Sequence, residues 1–224
     1  MRQYTMFSLE HFIYIFGYGG LGVFFLFLPK ILNFNEEKII KFAKISGYII
    51  LIDKFLELFY RHLVLGETII DVIPLNMCNY TMILAALMMI LKSRKIFPLV
   101  YFWSIGAIFA ILTPDVFYAF PNPQNISFFI THFYIYFSIA YGIKYFGYSI
   151  NFADFKKAFV YLNGIMFALF FLNLLIGSNY MFLRYPAPNS PMELLGPWPY
   201  YIISLEVVMV ILFSILYYPY RKKN

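Results

Sequence analysis

Seven long apolar runs alternate with short polar or proline-bearing connections along the chain, at residues 12–28, 42–65, 73–91, 97–112, 126–146, 159–176 and 200–218. Each approaches the roughly 20 residues that a helix needs to cross a bilayer. None alternates apolar and polar positions like a barrel strand, and backbone groups in hydrocarbon need partners within their own segment. Every run is therefore predicted as a helix. The expected fold is all-α: a single integral membrane domain over residues 1–224, a polytopic bundle of about seven transmembrane helices. No internal repeat, low-complexity tract or linker divides it. The first run has little positive charge before it and no small-residue cleavage pattern, so it is expected to remain as a span.

Charge then orients the bundle. Lys30, Lys38, Lys41 and Lys44 lie between the first two runs, Lys92, Arg94 and Lys95 between the third and fourth, Lys156 and Lys157 between the fifth and sixth, and Arg221, Lys222 and Lys223 after the last. The alternate connections carry Glu67, Asp71, Asp115 and Glu193 against a single Arg184. Basic connections stay on the cytoplasmic side, which puts the amino terminus outside and the carboxyl terminus in the cytoplasm. The expected location is the cell membrane, as a multi-pass protein of the bacterial cytoplasmic membrane.

Composition changes the picture little. With 62% hydrophobic and 12% charged residues, no stretch is left for a soluble domain. The net charge of +6 is accounted for by the clusters that set orientation, so no nucleic-acid partner is expected. Cys78 is the single cysteine, which excludes an internal disulfide framework.

Polar residues inside the runs acquire a depth, at about 1.5 Å per residue. Cys78, His132 and Glu206 fall roughly 7 to 9 Å below the outer ends of their runs. Glu57, Arg61 and His62 occupy the outer half of the second run, Asp53 and Lys54 its middle, and Asn173 the outer turn of the sixth. Ionisable groups at such depth cost at least about 2–3 kcal/mol each and face the bundle interior or a wet cavity. The expected cavity opens toward the outer leaflet, with Asp53, Glu57, Arg61, Asn76, Asn79, Asp115, Asn173, Asn179, Arg184 and Glu206 as its lining. The Asp53, Lys54, Glu57, Arg61 stripe sums to zero charge and reads equally as an ion-pair network tying helices together. Cys78 alone reads as a small hydrophobe and His132 alone as a packing residue. At matching depth on separate helices, they fit a thiol activated by an imidazole. The connection after the sixth run holds Pro186, Pro188, Pro191, Pro197 and Pro199 with Trp198 and several tyrosines, and reads equally as an interfacial anchor or a lid.

Residues 177–201, the run Pro74-Leu75-Asn76-Met77-Cys78-Asn79 and the triplet Thr113-Pro114-Asp115 resemble the transmembrane protein 164-like family of bacterial and animal membrane proteins. Asn179-Tyr180-Met181 and Gly196-Pro197-Trp198-Pro199 are the most specific parts, and the spacing of the seven runs extends the likeness over nearly the whole chain. The resemblance implies acyl transfer between phospholipids without metal or soluble cofactor. Cys78 would be the nucleophile, His132 the general base, and a membrane phospholipid and a lysolipid the substrates. Asn76, Asn79 or the backbone would donate to the oxyanion. The family segment commonly reads Pro-Leu-His-Leu-Cys, so Asn76 stands here where that histidine would fall. Two readings from other classes stay open: a non-enzymatic transporter or lipid-binding protein with an outward-facing polar cavity, and a structural subunit. Paired broken helices or an internal repeat would mark transport, and the sequence displays neither.

Overall fold

The computed structural model describes residues 2–187 and 191–223, so Pro188, Asn189 and Ser190 of the proline-rich connection lie outside the described residues. The described residues are helical: α1 (Leu9–Ile31), α2 (Glu36–Leu63), α3 (Ile69–Val72), α4 (Met77–Leu91), α5 (Phe97–Trp103), α6 (Ile105–Leu112), α7 (Pro123–Phe146), α8 (Phe152–Ile176) and α9 (Tyr200–Tyr217). Helix starts follow side-chain caps. Ser8 accepts from the His11 amide and Asn35 from that of Lys38, while Thr68 with Asp71 and Asn151 with Asp154 close capping boxes. Gly147 and Gly177 end α7 and α8 at φ of 67° and 73°, a conformation that favours glycine.

Two predicted runs depart from the single helices expected. The third, residues 73–91, is helical only from Met77, because Pro74 has no N–H and Ile73 before it leaves the helical region at φ −55°, ψ 126°; the short α3 lies ahead of the run. Cys78 consequently stands in the first turn of α4 rather than five residues inside a longer helix. The fourth divides at Ser104, whose hydroxyl donates to the Tyr101 carbonyl at 2.7 Å while its own carbonyl accepts from the Tyr136 hydroxyl at 2.6 Å. Side-chain insertion of this kind interrupts a helical ladder.

The chain forms two compact units, Met1–Pro74 with Cys78–Tyr148, and Leu75–Met77 with Ser149–Asn224. In the first, α7 is the axis against which α1, α2, α5 and α6 pack. α2 runs antiparallel to it, through Tyr60 with Asn122 (3.2 Å), Asp53 with Ser127 (2.7 Å), Ser46 with Tyr134 (3.2 Å) and the Ile39 carbonyl with Tyr141 (2.9 Å). α1 runs parallel to α7, with Tyr14 and Tyr18 stacked around Phe129 and the Leu26 carbonyl accepting from Tyr145. α4 approaches α2 at Gly47, where a Cβ would stand 2.7 Å from the Ala86 carbonyl. The amino-terminal segment is clasped to the α6–α7 connection: Gln3 bridges Tyr118, and the Glu10 carboxylate accepts from the Phe120 amide and the Tyr14 hydroxyl, both at 2.8 Å.

The second unit holds α8 and α9 with the loop between them. Asn163 of α8 donates to Glu206 of α9 at 3.2 Å, and Phe155 packs on Phe213 and Tyr217.

Among the described residues, four helices are long and apolar enough to cross a membrane: Leu9–Ile31, Pro123–Phe146, Phe152–Ile176 and Tyr200–Arg221. The first, third and fourth of these carry Ile13, Phe16, Phe24, Phe167, Leu175, Ile203 and Ile211, all exposed, whereas Pro123–Phe146 is mostly buried. A soluble protein cannot present so continuous an apolar surface, whereas a lipid-facing helix requires one.

Candidate functional site

α2 serves as a ruler for the first unit. Its hydrogen bonds to α7 put residue 53 level with Ser127 and residue 46 level with Tyr134. α4 also runs antiparallel to α2, with Lys92 on Glu36 at 3.2 Å and Ala86 against Gly47, so its first turn comes level with residue 54. By the same ruler His132 stands level with residue 48 of α2, about six residues, or roughly 9 Å along the helix axis, from the level of Cys78. The Lys54 ammonium lies within electrostatic reach of both the Cys78 thiol and the His132 imidazole, and the thiol lies within reach of the Tyr136 hydroxyl, one turn along α7 from His132.

Cys78 is half-buried and second in α4, where first-turn amides have no partner within the helix. His132 is buried. Its Nδ1 lies 2.6 Å from the Phe128 carbonyl, which can only accept, so that nitrogen carries the proton and Nε2 of the neutral ring is left as the acceptor. The Phe128 ring, 4.2 Å from the imidazole, fixes its plane.

The charged stripe of α2 separates into two parts. Glu57 accepts from Lys54 at 2.8 Å and from Arg61 at 3.5 Å, while Arg61 Nε donates to Glu67 at 2.9 Å. Asp53 stands outside this chain and accepts from Ser127. Asn79 follows Cys78 and is half-buried, and Asp115 is exposed on the α6–α7 connection.

The remaining candidates belong to the second unit, where their side chains hold a loop. Asn173 is fully buried: its amide donates to the Tyr180 carbonyl at 3.0 Å, and its oxygen accepts from the Ser178 hydroxyl at 2.7 Å and the Tyr180 amide at 2.8 Å. Asn179 spans to the backbone of Arg184 and Tyr185, and Arg184 donates to the Asn173 and Ser178 carbonyls at the end of α8. Asn76 accepts from the Met181 amide at 3.0 Å. Met181 and Phe182 both sit at positive φ, a strained pair restrained by Asn76 and by the Tyr201 hydroxyl, which donates to the Phe182 carbonyl. Glu206 is occupied by Asn163.

Sequence reasoning left out Tyr136 and gave Lys54 no place at the centre. The spacing of Tyr136 four residues after His132, on one helix face, was the available signal. Among the described residues no group of three or more His, Cys, Asp or Glu side chains could hold a metal ion.

No curated protein and no solved structure matches the chain. A family model does, described as the TMEM164 family and matching residues 6–217. The chain, with its long apolar helices and a match over nearly its whole length, belongs to the TMEM164 family of membrane proteins and is itself a multi-pass membrane protein.

Proposed function

We propose that this protein is a seven-span acyltransferase of the bacterial cytoplasmic membrane, a single domain with its amino terminus outside and its carboxyl terminus in the cytoplasm. It transfers a fatty acyl chain from a membrane phospholipid to a lysolipid acceptor through a thioester on Cys78. What supports this reading is a thiol in the first turn of α4 and an imidazole with Nε2 left as the acceptor on α7, on two helices that both pack antiparallel to α2.

His132 Nε2 takes the proton as Cys78 Sγ attacks the ester carbonyl. The resulting oxyanion lies against the first-turn amides of α4 and the Asn79 side chain, a kind of stabilisation worth about 3–4 kcal/mol where one donor has been removed. The C–O bond breaks, the imidazolium returns its proton to the departing lysolipid oxygen, and the acyl group remains on sulfur. An acceptor hydroxyl, deprotonated by His132, then attacks the thioester and regenerates the thiol.

The test is labelling with a phospholipid whose acyl chain ends in an alkyne. Wild type is expected to carry label that neutral hydroxylamine releases, and Cys78→Ala to carry none. A protein that never labels, or labels equally as Cys78→Ala, does not work through a thioester on Cys78.

A further inference from the structure

Arg61 stands two turns beyond Lys54 on the same face of α2, about 10 Å along the helix axis. The three side chains of this row, Lys54, Glu57 and Arg61, are only 13%, 7% and 18% exposed. The row continues the face that Gly47 presents to α4, seven residues before Lys54, so Lys54 comes level with the first turn of α4 and with Cys78. Its far end is different in kind. The Arg61 guanidinium directs Nε and a terminal nitrogen at one carboxylate, Glu67, and also donates to the Asp71 carbonyl at 3.1 Å. Glu67 is borne by the short connection between α2 and α3, directly after Gly66 at φ 72°.

A guanidinium fork closed on a carboxylate offers the same donor geometry that it offers a phosphate. A glycerophospholipid with its ester carbonyl at Cys78 extends its phosphodiester several ångströms farther along the lipid axis, toward the end of α2. The group it would meet there is Arg61, with a loop carboxylate already in the anion's place.

We propose that Arg61 binds the phosphodiester of the glycerophospholipid acyl donor, and that Glu67 occupies its fork until the lipid arrives. The inference rests on the acyl-transfer reading and adds to it a headgroup site with a built-in competitor. Lys54 stays on Glu57 and at the reacting groups, while Glu67 leaves with the movement of its connection.

The experiment compares two alkyne-acyl donors on the full-length protein in detergent micelles: a phosphatidylcholine, and a p-nitrophenyl ester that has no phosphate. Arg61→Gln is expected to lower Cys78 labelling from the phospholipid at subsaturating donor by about tenfold or more, and to leave labelling from the nitrophenyl ester within about twofold. Arg61→Lys, a point charge without the fork, falls between. Glu67→Gln raises phospholipid labelling and leaves the ester unchanged. Equal loss from both donors in Arg61→Gln would make the arginine a structural clamp and overturn the proposal, as would phospholipid labelling that Arg61→Gln does not alter or Glu67→Gln reduces. Wild type that labels from the nitrophenyl ester alone refutes the phosphodiester site and leaves a reactive thiol, whereas labelling from neither donor removes the acyl-transfer reading itself.

Discussion

Asn173 is a fully buried amide whose hydrogen bonds all go to the loop that follows α8. Truncation would strand the Tyr180 amide and carbonyl in a site closed to water. Asn173→Ala is therefore expected to destabilise the second unit by about 2–4 kcal/mol, read as a lower unfolding midpoint in detergent and faster proteolysis after α8. Asn173→Asp sets an acceptor-only carboxylate oxygen against the Tyr180 carbonyl in a fully buried site, so it should cost at least as much. His132 has a different kind of weight. His132→Gln removes the Nε2 base, and the initial rate of hydroxylamine-labile labelling should fall by about 100-fold or more, while the unfolding midpoint moves little. Cys78 and His132 stood out in the sequence because such side chains are rare in hydrocarbon. Asn173 was read as cavity lining because the sequence pattern records that an amide is buried, not that its partners are backbone atoms seven residues away. Tyr136 was passed over for the opposite reason: among so many tyrosines, its place four residues after His132 was a weak signal.

Close helix approach is decided by single small residues, and α2 against α4 is the clearest case. A Cβ on Gly47 would stand 2.7 Å from both the Ala86 carbonyl oxygen and the Ile90 side chain, whereas one on Gly164 in α8 would meet nothing within 4 Å. The two substitutions should act in opposite directions. Gly47→Ala forces α4 outward at a cost of about 1–3 kcal/mol, and Gly164→Ala gains up to about 1 kcal/mol of helix propensity. Thermal unfolding of the two variants beside wild type checks the signs. If Gly47→Ala is neutral, α2 and α4 do not touch there, and the level assigned to Cys78 fails with them. The helices themselves were legible, because a lipid-facing run has to be long and apolar. The breaks at Pro74 and Ser104 were hidden inside apolar runs, since hydropathy reports where a segment sits and not whether its hydrogen-bond ladder continues. The break at Pro74 matters most, because it turns Cys78 from a mid-helix residue into one at a helix start.

Topology is a property of the whole chain, and contacts inside the first unit already restrict it. Gln3 bridges Tyr118 and Lys92 pairs with Glu36, so each pair shares a side and an even number of crossings separates its members. The ends of α1, α2, α4 and α7 then sort by charge: Lys30, Lys38, Lys92 and Lys144 gather at one end, Glu10, Glu67, Asp71 and Asp115 at the other. Lys144, whose ammonium lies 4.6 Å from the Phe27 ring, joins the basic end only when the helices are packed, since it falls inside an apolar run of the sequence. Cysteine accessibility tests the seven-span reading on a Cys78→Ser background. Asp115, Lys95 and Arg221 are all exposed. In intact cells an impermeant maleimide should label Asp115→Cys, and should label Lys95→Cys and Arg221→Cys only after permeabilisation, because basic connections remain cytoplasmic. Labelling of Lys95→Cys alone would reverse the orientation of the first unit. Labelling of both Asp115→Cys and Arg221→Cys in intact cells would require an even number of crossings after residue 115, and the seven-span count would be wrong. That last outcome would leave the separate levels of Cys78 and His132 on α2 unchanged, because each depends only on contacts within the first unit.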